Sequence, residues 1–218
     1  LEFRRVLFRS SLIGANGSGK TTFLKCLLGM VVPDSGFITF NGQNILKNWT
    51  HRNAIGYMPQ IGKFPDQMTI EQVFEMMTDI RKKKKNELDR ELIESFGLDK
   101  IMHKRMRTLS GGTRQKVGAS LAFLFHPEVL ILDEPTAGLD PLATEVLKEK
   151  IQKEKANGRL LLITSHILSD LEELISEVIY LQEGKLLFHK SWEQLQTDTS
   201  EKKLSKAIAK VMSQSAKP

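Results

Sequence analysis

The sequence predicts an α/β fold, a mainly parallel sheet flanked by helices with a helical subdomain inserted into it. Three observations carry this. Short apolar runs of strand length alternate with amphipathic helical patterns along most of the chain. A lysine- and methionine-rich stretch, residues 62–108, carries helical patterns and no strong strand signal. The length of 218 residues, 40% hydrophobic and 27% charged, suits one large domain or a domain with an inserted subdomain, and can bury a sizeable core.

Taken in order, Val6 to Ile13 reads as the first strand. Phe23, Leu24, Leu27 and Leu28 recur at helical spacing, which predicts a helix from Lys20 to about Met30. "PDSG" is a turn, and "FITFNG" (Phe37 to Gly42) a strand ending in an Asn-Gly turn. "IGYMPQ" (Ile55 to Gln60) is a further strand that stops at Pro59. Beyond residues 62–108 the sheet pattern returns at Val129 to Leu132 and Leu160 to Thr164, with amphipathic helices before and between. "VIYLQEGKLLF" predicts a hairpin across Glu183 and Gly184, and Thr199 to Pro218 a short helix with a frayed end.

Composition excludes several classes. No apolar run approaches the roughly 20 residues of a membrane helix, so a membrane role has to come through a partner. One cysteine, Cys26, rules out an internal disulfide framework. The net charge of +6 is diffuse; "RKKKK" (Arg81 to Lys85) and the C-terminal tail are its only concentrations. Neither is interleaved with base-stacking aromatics, so both read as solvated helix faces rather than nucleic-acid contacts.

Two motifs carry chemistry. "GANGSGKT" (Gly14 to Thr21) fits the P-loop pattern in full. Its glycines let backbone N–H groups wrap phosphates, Lys20 reaches the β and γ oxygens, and Thr21 offers a hydroxyl to Mg²⁺. The pattern arises by chance in about one in a hundred chains of this length, and a strand before it and a helix after it lower that further. "VLILDEP" delivers Asp133 and Glu134 at the C-terminal edge of a buried strand, where open α/β sheets place ligands. Asp133 suits Mg²⁺ and Glu134 suits a general base acting on water. The fold class is therefore that of a P-loop NTPase.

"LSGGTRQKV" (Leu109 to Val117) resembles the signature motif of ABC-type ATPases. Gln60 stands where that family has its glutamine loop, "AGLD" (Ala137 to Asp140) resembles the loop after the second acidic motif, and "TSH" places His166 as the switch histidine. The resemblance runs from Leu12 to about Phe188, with five motifs in the family's order. It implies ATP and Mg²⁺ as ligands. Gly14, Asn16, Gly17, Ser18, Gly19, Lys20, Thr21 and Thr22 would hold the phosphates, and Thr21, Gln60 and Asp133 the metal. Glu134, His166 and Gln60 would serve catalysis. Ser110, Gly111 and Gly112 would bind the γ-phosphate held by a second subunit in a head-to-tail dimer, and Asp140 would be a further nucleotide-binding residue. As a sequence, Ser110 to Gly112 also reads as the capped N-terminus of an amphipathic helix, suited to an anion.

By resemblance the chain is the ATPase subunit of a membrane transporter, cytoplasmic and held at the inner face of the membrane by a separate permease, with no direct nucleic-acid binding. The stretch from Arg52 to Arg81 is similar to ATPases of exporter-like systems, especially those of nitrous-oxide-reductase maturation and copper handling. Phe64, Met68, Phe74, Met76 and Met77 are candidates for the permease surface, or for core. The competing readings are a soluble ABC ATPase acting on nucleic acid or ribosomes, which the lack of long coiled coils and of a second ATPase module disfavours, and a weakly binding truncated module. A GTPase is disfavoured because no N-K-x-D element occurs. The expected organisation is an ATPase core of residues 11–61 and 109–190, a helical subdomain of 62–108 and a helical tail of 191–218. Residues 1–10 do not resemble the family and read as an artefact fused to a truncated gene, which predicts weak ATP binding with poor discrimination among bases.

Overall fold

The computed structural model describes residues 2–3, 9–46, 49–165, 172 and 174–215. In chain order the strands are β1 (Glu2–Phe3), β2 (Arg9–Ile13), β3 (Thr39–Phe40), β4 (Gln43–Asn44), β5 (Ile55–Met58), β6 (Val129–Asp133), β7 (Leu160–Thr164), β8 (Glu177–Gln182) and β9 (Lys185–Ser191). The α-helices are α1 (Lys20–Leu27), α2 (Ile70–Ile80), α3 (Glu91–Ser95), α4 (Gly111–Phe123), α5 (Pro141–Ala156), α6 (Trp192–Thr199) and α7 (Leu204–Ser215). They form two compact units, one of Leu1–Leu46 with Leu161–Pro218 and one of Lys47–Leu160.

In the first unit β2 lies between two parallel neighbours. Its residues Arg9 to Leu12 pair with Leu161 to Thr164 of β7, and Ser10 to Ile13 with Glu177 to Tyr180 of β8. β9 closes the unit as an antiparallel hairpin partner of β8. The turn is the expected Glu183-Gly184 pair, with φ of 49° and 74°, the left-handed pair that a two-residue hairpin needs. A parallel strand flanked on both sides is buried, and Leu12 and Ser11 are fully so. The predicted strand start at Val6 falls among residues 4–8, outside the described residues.

Helix α1 is shorter than its sequence pattern. It stops at Leu27 because Gly29 takes a left-handed φ of 64°. "FITFNG" is likewise shorter as a strand, a two-residue β3 that turns at Asn41-Gly42 into antiparallel β4. Two helices follow β9 among the described residues. Ser191 and Gln194 form a capping box that starts α6, and Leu204, Ala207 and Ile208 bury one face of α7. Tyr180 stacks on Phe188 with centroids 5.4 Å apart and donates its hydroxyl to the Met212 sulfur at 3.0 Å.

In the second unit β5 and β6 pair in parallel, Ile55 to Met58 against Val129 to Leu132. All five residues of β6 are buried. Gly56 lets α4 come down onto β5, since a methyl there would overlap the Ala122 carbonyl. Residues 62–108 fold as α2, α3 and short 3₁₀ turns. Their core joins Ile70, Val73, Phe74, Ile93, Leu98 and Met106 to Val117 and Leu124 of the α4 segment, with Phe64 and Met68 packed against it. Phe74 is therefore core, and Phe64 and Met68 belong to its margin. Arg81 staples the end of α2 by donating to the carbonyls of Asn53, Arg52 and Ile55 at 2.8 to 3.3 Å.

The second unit also buries a cation. The Lys150 side chain, 3% exposed, meets Asp89 at 2.6 Å, Glu91 at 2.8 Å and Glu154 at 3.0 Å. Burial lowers its pKa, but hydrogen bonds to Asp89, Glu91 and Glu154 outweigh this and raise it above the ordinary lysine value. Glu91 is held below the usual carboxylate range by hydrogen bonds from Lys150 and then Lys153. Removing one partner of such a cluster strands a buried charge. Lys150→Met should cost about 3–5 kcal/mol in denaturant unfolding, and adding Asp89→Asn should recover part of it. A raised lysine contributes fully below its unfolded pKa and loses this as pH rises through the folded one. A depressed carboxylate contributes above its unfolded pKa and loses this as pH falls through the folded one. Lys150→Met should therefore flatten the loss of stability on the acid side that Glu91 causes.

Candidate functional site

The P-loop springs from the C-terminal end of β2, between two parallel strands. Its first glycine is a matter of space. A methyl on Gly14 would overlap both the Leu181 carbonyl and the Ser18 Oγ. Gly17 and Gly19 stand at φ of 81° and 99°, left-handed conformations that only glycine adopts without cost. The loop is closed by the Ser18 N–H donating to Ala15 O at 3.1 Å and by the Gly184 N–H donating to Ser18 O at 3.1 Å. The β8–β9 turn thus buttresses the loop, a role that the hairpin's sequence gives no sign of.

Within this loop two polar side chains are buried. Lys20 is buried at 8% exposure, and its ammonium donates to Gly14 O at 2.7 Å and Ala15 O at 3.2 Å, arching over the loop. Ser18 is 4% exposed, and its hydroxyl has no hydrogen-bond partner among the described residues. Gly19 caps α1 without a side-chain bond, so the first-turn amides remain available to an anion. Asn16, Thr21 and Thr22 are exposed on the loop and first turn. The orphaned Ser18 hydroxyl and the open first-turn amides, beside the Lys20 ammonium, are donors that phosphate oxygens fit.

The second unit holds the acidic residues. Asp133 ends β6 and Glu134 follows, at 4% and 7% exposure. Glu134 stands at φ 52°, a left-handed conformation uncommon for a side-chain-bearing residue, and its carbonyl accepts the Ala137 N–H at 3.1 Å. Strain of this kind concentrates at functional sites. Tyr57 of β5, in register with Ile131 of β6, has its phenol pushed up by burial and then by the charge of Asp133. Sequence reading passed over Tyr57, and no motif marks it. Gln60 is exposed two residues beyond β5. His166 lies outside the described residues.

The signature residues and the AGLD loop come together in the same unit. Ser110 caps α4, accepting the Thr113 N–H at 3.2 Å. Gly111 faces open space, and Gly112 packs so tightly that a Cβ would stand 2.8 Å from the Gly138 carbonyl. Asp140 caps α5, accepting the Ala143 N–H at 2.8 Å.

Phosphate cradle, acidic strand end and capped helix turn define the P-loop class of nucleotide-binding α/β proteins. The ABC transporter family model matches residues 9–137. The chain is 36% identical over 177 residues to the ABC transporter ATP-binding protein YhaQ of Bacillus subtilis (strain 168), covering 80% of this chain and 59% of that protein. It is 38% identical over 178 residues to the bacitracin transport ATP-binding protein BcrA of Bacillus licheniformis, covering 80% and 58%. A solved ATP binding subunit of an ABC transporter superposes with a TM-score of 0.87 at 28% identity, over 93% of this chain and 87% of that one. The chain belongs to the ABC transporter family. It spans 59% and 58% of the two curated relatives.

The orphaned hydroxyl generates a test. Ser18→Ala removes a buried polar group that has no partner, so the nucleotide-free protein should be as stable as the parent or more so. Phosphate affinity should fall, by about threefold to tenfold for one lost hydrogen bond. Thermal melts with and without ATP read both effects.

Proposed function

We propose that this chain binds ATP with Mg²⁺ and hydrolyses it as the ATPase subunit of a membrane transporter, working as a head-to-tail homodimer with a separate permease. The observation that carries this is the glycine-built cradle, with its unpartnered buried Ser18 hydroxyl and a Lys20 ammonium held on the loop carbonyls. Membership of the family supports it, as do the relatives named as ATP-binding proteins.

In this reading Gly14, Asn16, Gly17, Ser18, Gly19, Lys20, Thr21 and Thr22 hold the phosphates. Thr21, Gln60 and Asp133 serve the Mg²⁺ ion, and His166 senses the γ-phosphate. Among the described residues no three His, Cys, Asp or Glu side chains are grouped to cage a metal. Mg²⁺ needs no such cage, since it keeps water and takes one or two protein ligands beside phosphate oxygens. Glu134 accepts a proton as water attacks the γ-phosphorus. The new P–O bond forms as the bridging one to the β-phosphate breaks, and ADP leaves with that electron pair. Ser110, Gly111 and Gly112 present an open helix turn to the γ-phosphate held by the second subunit.

Among the described residues no helix is long and apolar enough to cross a membrane. The reading holds the chain at the inner face of the membrane through its permease, with no nucleic-acid partner. The docking surface we assign is a groove of ≈ 450 Å³ on the α2 side, lined by Met68, Gln72, Glu75, Met76, Asp79 and Ile80. Its thioethers adapt to an apolar partner, and its carboxylates suit a basic one.

Glu134→Gln keeps the shape of the site and removes the base. It should bind ATP with parental affinity, lose at least about 100-fold in turnover, and accumulate an ATP-bound dimer in sedimentation. Hydrolysis near the parental rate would remove Glu134 from this role.

A further inference from the structure

The signature turn and the AGLD loop are joined by a second contact, one helical turn along α4 from Gly112. Lys116 Nζ donates to Asp140 Oδ2 at 2.7 Å. Asp140 Oδ1 is taken as well, since it caps α5 through the Ala143 N–H at 2.8 Å. The Lys116 hydrogen bond, and then that from Ala143, hold the Asp140 carboxyl below its ordinary value. Both carboxylate oxygens are therefore committed within the chain, and the group stays anionic. An anion is a poor ligand for a phosphate. The direct nucleotide contact that the family resemblance gives Asp140 is the weaker reading of this geometry.

The geometry points to Lys116 as a positioning residue, a clamp that holds Asp140 and so fixes the AGLD loop against the signature turn. Gly112 brings the two backbones into contact at Gly138, and Lys116 ties down the far end of the same loop at Asp140. Between these two points lies only Leu139. The loop and the turn then present one surface to a second subunit. This inference rests on the dimer reading above. An exposed pair of this kind adds little to stability and is weakened by salt. Its effect is to select one arrangement of the loop.

The test uses the full chain with Glu134→Gln, carrying Lys116→Met or Lys116→Arg. ATP affinity of the monomer and the melting midpoint should match the parent in all. With Lys116→Met, ATP-driven dimerisation should weaken about tenfold, and Lys116→Arg should restore most of it. In the nucleotide-free monomer, hydrogen exchange at the Leu139 and Ala143 amides should speed up with Lys116→Met and stay parental with Lys116→Arg. The exchange measurement needs no dimer. A parent that fails to dimerise with ATP therefore defeats the dimer reading while the clamp is still judged by exchange. Parental exchange at both amides with Lys116→Met would overturn the clamp. In a parent that does dimerise, undiminished dimer formation by Lys116→Met would also overturn it.

Discussion

The site depends on backbone occupying space that a single methyl group would fill. At Gly14 the chain leaves β2 so close to the Leu181 carbonyl and the Ser18 side chain that any larger residue would push the loop away from the strand end. This closeness turns the loop inward, where N–H groups rather than side chains line a concave surface. Lys20 and Ser18 are buried by the way the loop is folded, not because either is apolar. Burial of polar groups costs free energy unless they are satisfied. A loop that leaves one hydroxyl unsatisfied holds part of its stability in reserve for whatever supplies the acceptor.

The same device recurs at Gly112 and Gly138, where two backbones meet and the side chains that follow do the fine positioning. Here the magnitudes separate two uses of charge. Lys150 is enclosed by carboxylates in a nearly dry environment, and its removal would leave charge stranded. Its work is to hold α5 to the segment around Asp89. Lys116 and Asp140 lie far more in solvent, at 22% and 53% side-chain exposure, and such a pair is screened. It has little to offer stability and much to offer orientation.

Most strands could be read from the chain because their apolar runs are local. Leu160 to Thr164 and the Glu183-Gly184 hairpin appear where their residues place them. The apolar period runs past the end of α1 because Leu27 and Leu28 continue it while Gly29 breaks the helix by conformation, and periodicity does not register φ. Helix α6 does not stand out from the tail in the sequence because its signal is a capping box at Ser191 and Gln194 rather than a hydrophobic stripe. Phe74, on α2, is core, and Met68, which precedes that helix, packs at the core margin.

The motif residues were legible as types and their surroundings were not. The charge of Asp133 beside Tyr57 and the grip of Lys116 on Asp140 join positions up to 76 residues apart in sequence, and no local pattern announces them or the left-handed φ of Glu134. A motif states which atoms chemistry requires; the fold decides which of those atoms are already engaged. Asp140 shows the difference. Read as a letter in "AGLD" it is a nucleotide residue by resemblance, and the fold adds what the letter does not say, that one oxygen caps a helix N-terminus and the other accepts from a lysine.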